Sequence, residues 1–205
     1  MPPHYLLAKL SDVNTADIFS AFAARIPLTV AAFPQLTAGQ LNARPAGHPN
    51  SIAWLLWHAA RSIDTEVARL SGQEELWPHY RKSFRLGILG ESTGRGHLPA
   101  EAAKIVVRDQ QLLIDYLTAA CAALLSYSRS LRPQDWGEVL DGLPQRATIP
   151  NTGTGIGPGR STATATAAHS QKPRSETRGE RLTGVVYDAI QHIGQAAYIA
   201  GTFSV

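Results

Sequence analysis

Apolar residues recur at helical spacing in four stretches of this 205-residue chain. The first runs from about Thr15 to Ala32, with Ile18, Phe22, Ile26 and Val30 as its expected core face. Pro27 lies inside it and predicts a kink or a break. LTAGQLNARPAGHPN follows and reads as a loop. The second helix, SIAWLLWHAARSIDTEVARLSG, is capped by Asn50 or Ser51 and closes at Gly72. Residues 73–99 read as irregular, with Trp77, Tyr80 and Phe84 spaced through them and a glycine-rich turn, GESTGRGH. The third helix is expected from about Pro99 to Leu131, with Pro99 in its first turn. Ile105, Leu112, Leu113, Tyr116, Leu117, Ala120 and Leu124 make its apolar face. The fourth begins near Leu182. No stretch alternates as a strand would, so the fold class is all-α.

Length and composition narrow the picture. The chain suits a single domain over residues 1–205, and its 44% hydrophobic and 17% charged content are those of an ordinary globular protein. No apolar run is long enough to span a bilayer, and MPPHYLLAKLSDV lacks the features of a signal peptide. The single cysteine, Cys121, rules out an intrachain disulfide, and a cytoplasmic location is expected. Cys121 sits among small apolar residues and reads as inert packing.

The net charge of +3 is unevenly placed. Residues 144–181 carry a net +4 and the remainder a net −1, so the excess does not form a basic surface with interleaved aromatics. Nucleic-acid binding is therefore not expected. Residues 151–178 contain no Leu, Val, Phe, Tyr or Trp and read as a low-complexity, flexible insertion before the last helix. TGTGIGPG within it lacks the strand and the GK[ST] that a phosphate loop needs.

Chemistry concentrates in two helices. His58 shares a side of the second helix with Ser51, Leu55, Arg61, Ser62 and Thr65. It reads either as a core histidine with both ring nitrogens satisfied or as a group facing a partly polar interior. In YDAIQHIGQAAYIAG, Asp188 and His192 stand four residues apart and project from adjacent turns of one face. An exposed Asp–His pair is one reading; two ligands of one metal ion is the other. The apolar neighbours Val185, Val186, Ile190, Ile193, Ala196 and Ile199 favour burial, and a buried carboxylate needs a cation or several donors. With His58 they would make a three-ligand site suited to Zn²⁺, Ni²⁺, Fe²⁺ or Mn²⁺. Gln195, one turn beyond His192, can orient a ligand or simply pack, and Arg61 and Asp64 read as a supporting or a surface pair.

NSIAWLLWHAAR, TGRGH and YDAIQHIGQAAYIAG together resemble the DinB-like (YfiT-like) superfamily. The likeness is greatest to its actinobacterial branch of mycothiol-dependent transferases, related to the maleylpyruvate isomerase N-terminal domain. The resemblance implies an up-down-down-up four-helix bundle, a homodimer, and a divalent metal held by His58, Asp188 and His192. It also implies a thiol cosubstrate of mycothiol or bacillithiol type, used with an electrophile in S-transfer or isomerisation. The rival expectation is a non-enzymatic, dimeric stress-response protein that binds a metal or ligand. Two departures stand out: Arg95 replaces a Tyr in the turn, and the insertion replaces a short WDPPVT-like run. His97, in the same turn, reads as a fourth ligand or as a residue that stabilises the turn.

Overall fold

Each long helix begins where the sequence supplies a side chain to its unpaired N–H groups. The computed structural model describes residues 14–140 and 175–203. Helix α1 (Thr15–Ala23) opens on a reciprocal box between Asn14 and Asp17. Helix α2 (Arg25–Ala31) follows after a one-residue break. Pro27 explains that break: its ring cannot lie against the carbonyl of Ala23, but it fits the first turn of a new helix, where N–H groups have no partner. A short helix α3 (Ala38–Asn42) leads into α4 (Ile52–Ser71). Ser51 caps α4 by accepting from the Trp54 N–H at 3.2 Å, and Gly72 ends it with φ of +73°.

Residues 73–99 are more regular than expected. They contain α5 (Trp77–Phe84), with Pro78 in its first turn, and a 3₁₀ turn at Gly87–Glu91. The expected third helix is divided. Its start, α6 (Pro99–Ala102), stops after one turn, and α7 (Gln110–Ser130) begins afresh. Asn42 accounts for the interruption by donating to the Val107 carbonyl at 2.7 Å and accepting its N–H at 3.1 Å. Asp109 then caps α7 through the N–H groups of Gln111 and Leu112. Ile105 is buried as expected, but from this extended link.

The last helix, α8 (Arg178–Gly201), starts four residues before Leu182, on a box between Thr177 and Glu180. The expected insertion thus loses its final residues to the cap and first turn of α8, and 151–174 lie outside the described residues. Among the described residues there is no named strand, only an isolated bridge between Val139 and Thr177. The structure is all-helical.

Helix α4 packs against both α7 and α8, while α1 and α2 cover the other side of that pair. Its Ile52, Leu55, Leu56, Trp57 and Ile63 are wholly buried, as a helix surrounded by neighbours requires. Leu113, Tyr116, Leu117, Ala120 and Leu124 of α7 and Leu182, Val185, Ala189, Ile193 and Ala196 of α8 complete the core. In α1 and α2 the core face is Phe19, Ala23, Ile26 and Val30. Ile18 and Phe22, expected inward, point out and are 53% and 61% exposed. The face of α1 is therefore rotated by one residue from the expected one, whereas Ile26 and Val30 of α2 are buried as expected.

Candidate metal centre

Helices α4 and α8 pack closely enough to bring three distant polar residues together. His58 and Asp188 are buried, and the His192 side chain is 16% exposed at the edge of the same cluster. One ligand-type atom from each of the three lies within 4.8 Å of the others, a grouping able to hold a metal ion. His58 Nε2 is 3.6 Å from Asp188 Oδ2, and His192 Nε2 is 3.8 Å from Asp188 Oδ1. The i, i+4 spacing on α8 supplies the second of these contacts and helix packing the first.

The hydrogen bonds behind the histidines decide what their inner nitrogens offer. His58 Nδ1 lies 2.5 Å from the carbonyl oxygen of Thr93, which can only accept, so Nδ1 carries the proton. His192 Nδ1 lies 3.0 Å from Gln195 Oε1, which fixes that ring in the same way. Burial, followed by the neighbouring His58, holds the His192 pKa below its ordinary value, while Gln195 and Asp188 oppose the shift. At neutral pH its Nε2 therefore presents a lone pair toward a carboxylate oxygen. Two acceptors facing each other repel unless a cation lies between them. Two imidazole nitrogens and one carboxylate, held at this separation, fit a divalent ion of the zinc, nickel, iron or manganese type.

The turn between α5 and α6 closes one side of the cluster. Gly94 has φ of +84°, and a Cβ there would stand 2.7 Å from Trp57 Cζ3 and 3.3 Å from Trp54 Cζ2. Only glycine lets the backbone come this near the indoles, and that approach carries the Thr93 carbonyl to His58. Trp54 stacks on His58 with ring centroids 4.6 Å apart and meets His192 edge-on at 5.9 Å, forming an apolar wall.

His97 stabilises this turn. Trp54 Nε1 donates to its Nδ1 at 3.4 Å, and its Nε2 meets Ser92 Oγ at 3.1 Å. Ser92 Oγ also donates to the Leu89 carbonyl and accepts the Gly94 N–H, so both His97 nitrogens are engaged by the turn and its indole neighbour. Arg95, the residue that departs from the related turn, places Nη2 3.7 Å from Asp188 Oδ1.

Arg61 and Asp64 are not a surface pair, and Arg61 supports the turn beside the triad by donating to the Ser92 and Glu91 carbonyls at 3.3 and 3.4 Å. Both are buried, and Asp64 accepts from the Leu76 and Trp77 N–H groups and from the Tyr116 hydroxyl. Arg61 donates to Glu75 at 2.9 Å. Cys121 is buried, and burial pushes its thiol up to about 12, consistent with inert packing. Thr93 is the participant that sequence reasoning missed. It acts through its backbone, and the glycines of TGRGH were its only signal.

No curated protein matches this chain. A conserved protein from Enterococcus faecalis of known crystal structure is similar, with 29% identity and a TM-score of 0.68. The likeness covers 92% of this chain and 96% of that one. The sequence pattern of the DinB superfamily matches residues 21–196. The protein thus belongs to the DinB superfamily.

Proposed function

We propose that the protein is a divalent-metal-dependent enzyme that uses a low-molecular-weight thiol, of mycothiol or bacillithiol type, in S-transfer or isomerisation. The observation that carries this reading is the facing of two imidazole nitrogens on one buried carboxylate, beside the partly exposed His192 edge. A divalent ion bound there would supply Lewis acidity and favour the thiolate form of a bound thiol, the nucleophilic form. The chain's own groups would do the rest. Thr93 and Gln195 hold the ligand imidazoles in one tautomer, and Trp54 keeps water from one side. His58, Asp188 and His192 are the ligands in this reading. Membership of the mycothiol-dependent branch, the up-down-down-up bundle and a cytoplasmic setting belong to the same proposal. No helix among the described residues is long and apolar enough to cross a membrane.

A second reading is favoured by a different feature. Ile18, Phe22, Tyr187 and Ile190 line an apolar groove of about 960 Å³ between α1 and α8, with Tyr187 63% exposed. Exposed apolar surface of this kind marks an interaction face. It supports a homodimer in either reading, and it fits a non-enzymatic, stress-responsive metal- or ligand-binding protein as well. Thiol dependence separates the two. Metal-loaded protein is incubated with monobromobimane and either mycothiol or bacillithiol, and conjugate formation is followed against His58→Ala. The enzymatic reading expects a rate above background that needs thiol, metal and His58. A fully loaded protein giving only the background rate with every thiol leaves the non-enzymatic reading.

A further inference from the structure

We infer that Arg95 selects the ligand of this site, favouring a thiol that also carries a carboxylate group. The inference rests on the proposed metal centre and adds the charge its ligand should bear. The Arg95 guanidinium lies 3.7 Å from Asp188 Oδ1, and its side chain is 27% exposed, so it borders both the triad and the solvent. Asp188 contributes one negative charge and Arg95 one positive charge, and the two offset each other at the cluster. A divalent cation held by His58, Asp188 and His192 would leave the mouth of the site strongly positive. An anionic ligand is then favoured over a neutral one of the same shape.

The chemistry of the side chain favours an oxyanion that presents two oxygens together, and a carboxylate is the smallest such group a thiol can carry. A guanidinium presents its donors in a planar fork that matches two carboxylate oxygens at once, which an ammonium or a phenol cannot do. The turn that carries Arg95 is held in place from both sides. Gly94 is fixed against Trp57, and His97 ties the turn to Trp54 and Ser92. The fork is therefore carried by a braced turn rather than by a loose loop.

The test compares two thiols that differ in one charge. Full-length protein is loaded with cobalt(II), and 3-mercaptopropionate and 3-mercaptopropan-1-ol are titrated in while the visible absorption of the cobalt is recorded. The same titrations are made on Arg95→Gln and on Arg95→Tyr, the latter restoring the residue of the related turn. The parent should bind the carboxylate thiol about tenfold more tightly than the alcohol, relative to the same ratio in either variant. Comparing ratios removes the difference in thiol acidity between the probes and any chelation that does not involve Arg95. Equal ratios in parent and variants, with cobalt bound in all, overturn the role of Arg95 and leave the metal centre standing. A parent that takes up no cobalt overturns both.

Discussion

At the scale of single residues, the candidate site depends on groups that never touch the three ligands' inner atoms. Gly94 is the clearest case, because its positive φ and the 2.7 Å approach to Trp57 both forbid a side chain. Gly94→Ala should cost roughly 2–4 kcal/mol through backbone strain and overpacking. It should also weaken metal retention by moving the Thr93 carbonyl away from His58. Chemical unfolding and metal titration check the two effects, and unchanged retention in a folded variant would remove Thr93 from the account. Cys121 gives a second residue-scale expectation. With its thiol near 12, only about one molecule in ten thousand is thiolate at pH 8, so native protein should resist iodoacetamide and react only after unfolding. Fast alkylation of native protein would contradict its assignment as packing.

At the scale of elements, local signals were readable and distant ones were not. The Ser51 cap, the Gly72 stop and the break near Pro27 are short-range features, and the structure has all three. The earlier start of α8 was written in the chain as Thr177 and Glu180, a T-x-x-E box masked by the low-complexity residues before it. The division of the third helix had one local mark, the Asp109 cap, but not the partner that holds the break open. Its cause is Asn42, 65 residues away in sequence, which supplies the partners that Val107 would otherwise find in a helix. Asn42→Ala should leave both backbone groups of Val107 without this partner and cost about 1–3 kcal/mol. Urea unfolding measures the loss, and amide exchange at Val107 should accelerate. The metal candidates were legible because four-residue spacing on one helix is a local fact. Their meeting with His58 depended on α4 packing against α8, which the motif resemblance implied and periodicity alone did not.

At the scale of the whole molecule, the one-residue rotation of the α1 face has a consequence for assembly. It buries Phe19 and Ala23 and leaves Ile18 and Phe22 beside Tyr187 and Ile190 on an outer apolar groove. If a second copy covers this groove, Phe22→Glu should convert the dimer to monomer in sedimentation velocity without loss of bound metal. A parent that sediments as a monomer at micromolar concentration would contradict the homodimer. Helix packing also couples fold and site, because α4 and α8 each contribute both core and ligands. A ligand variant must therefore be shown to fold before its metal content is read.

The most direct measurement is elemental mass spectrometry of the purified chain, after reconstitution with zinc, nickel, iron or manganese, beside folded His58→Ala and Asp188→Ala variants. About one transition-metal ion per chain is expected in the parent, and its loss in both variants. A parent that stays metal-free, or variants that keep the ion, would contradict a centre built from His58, Asp188 and His192.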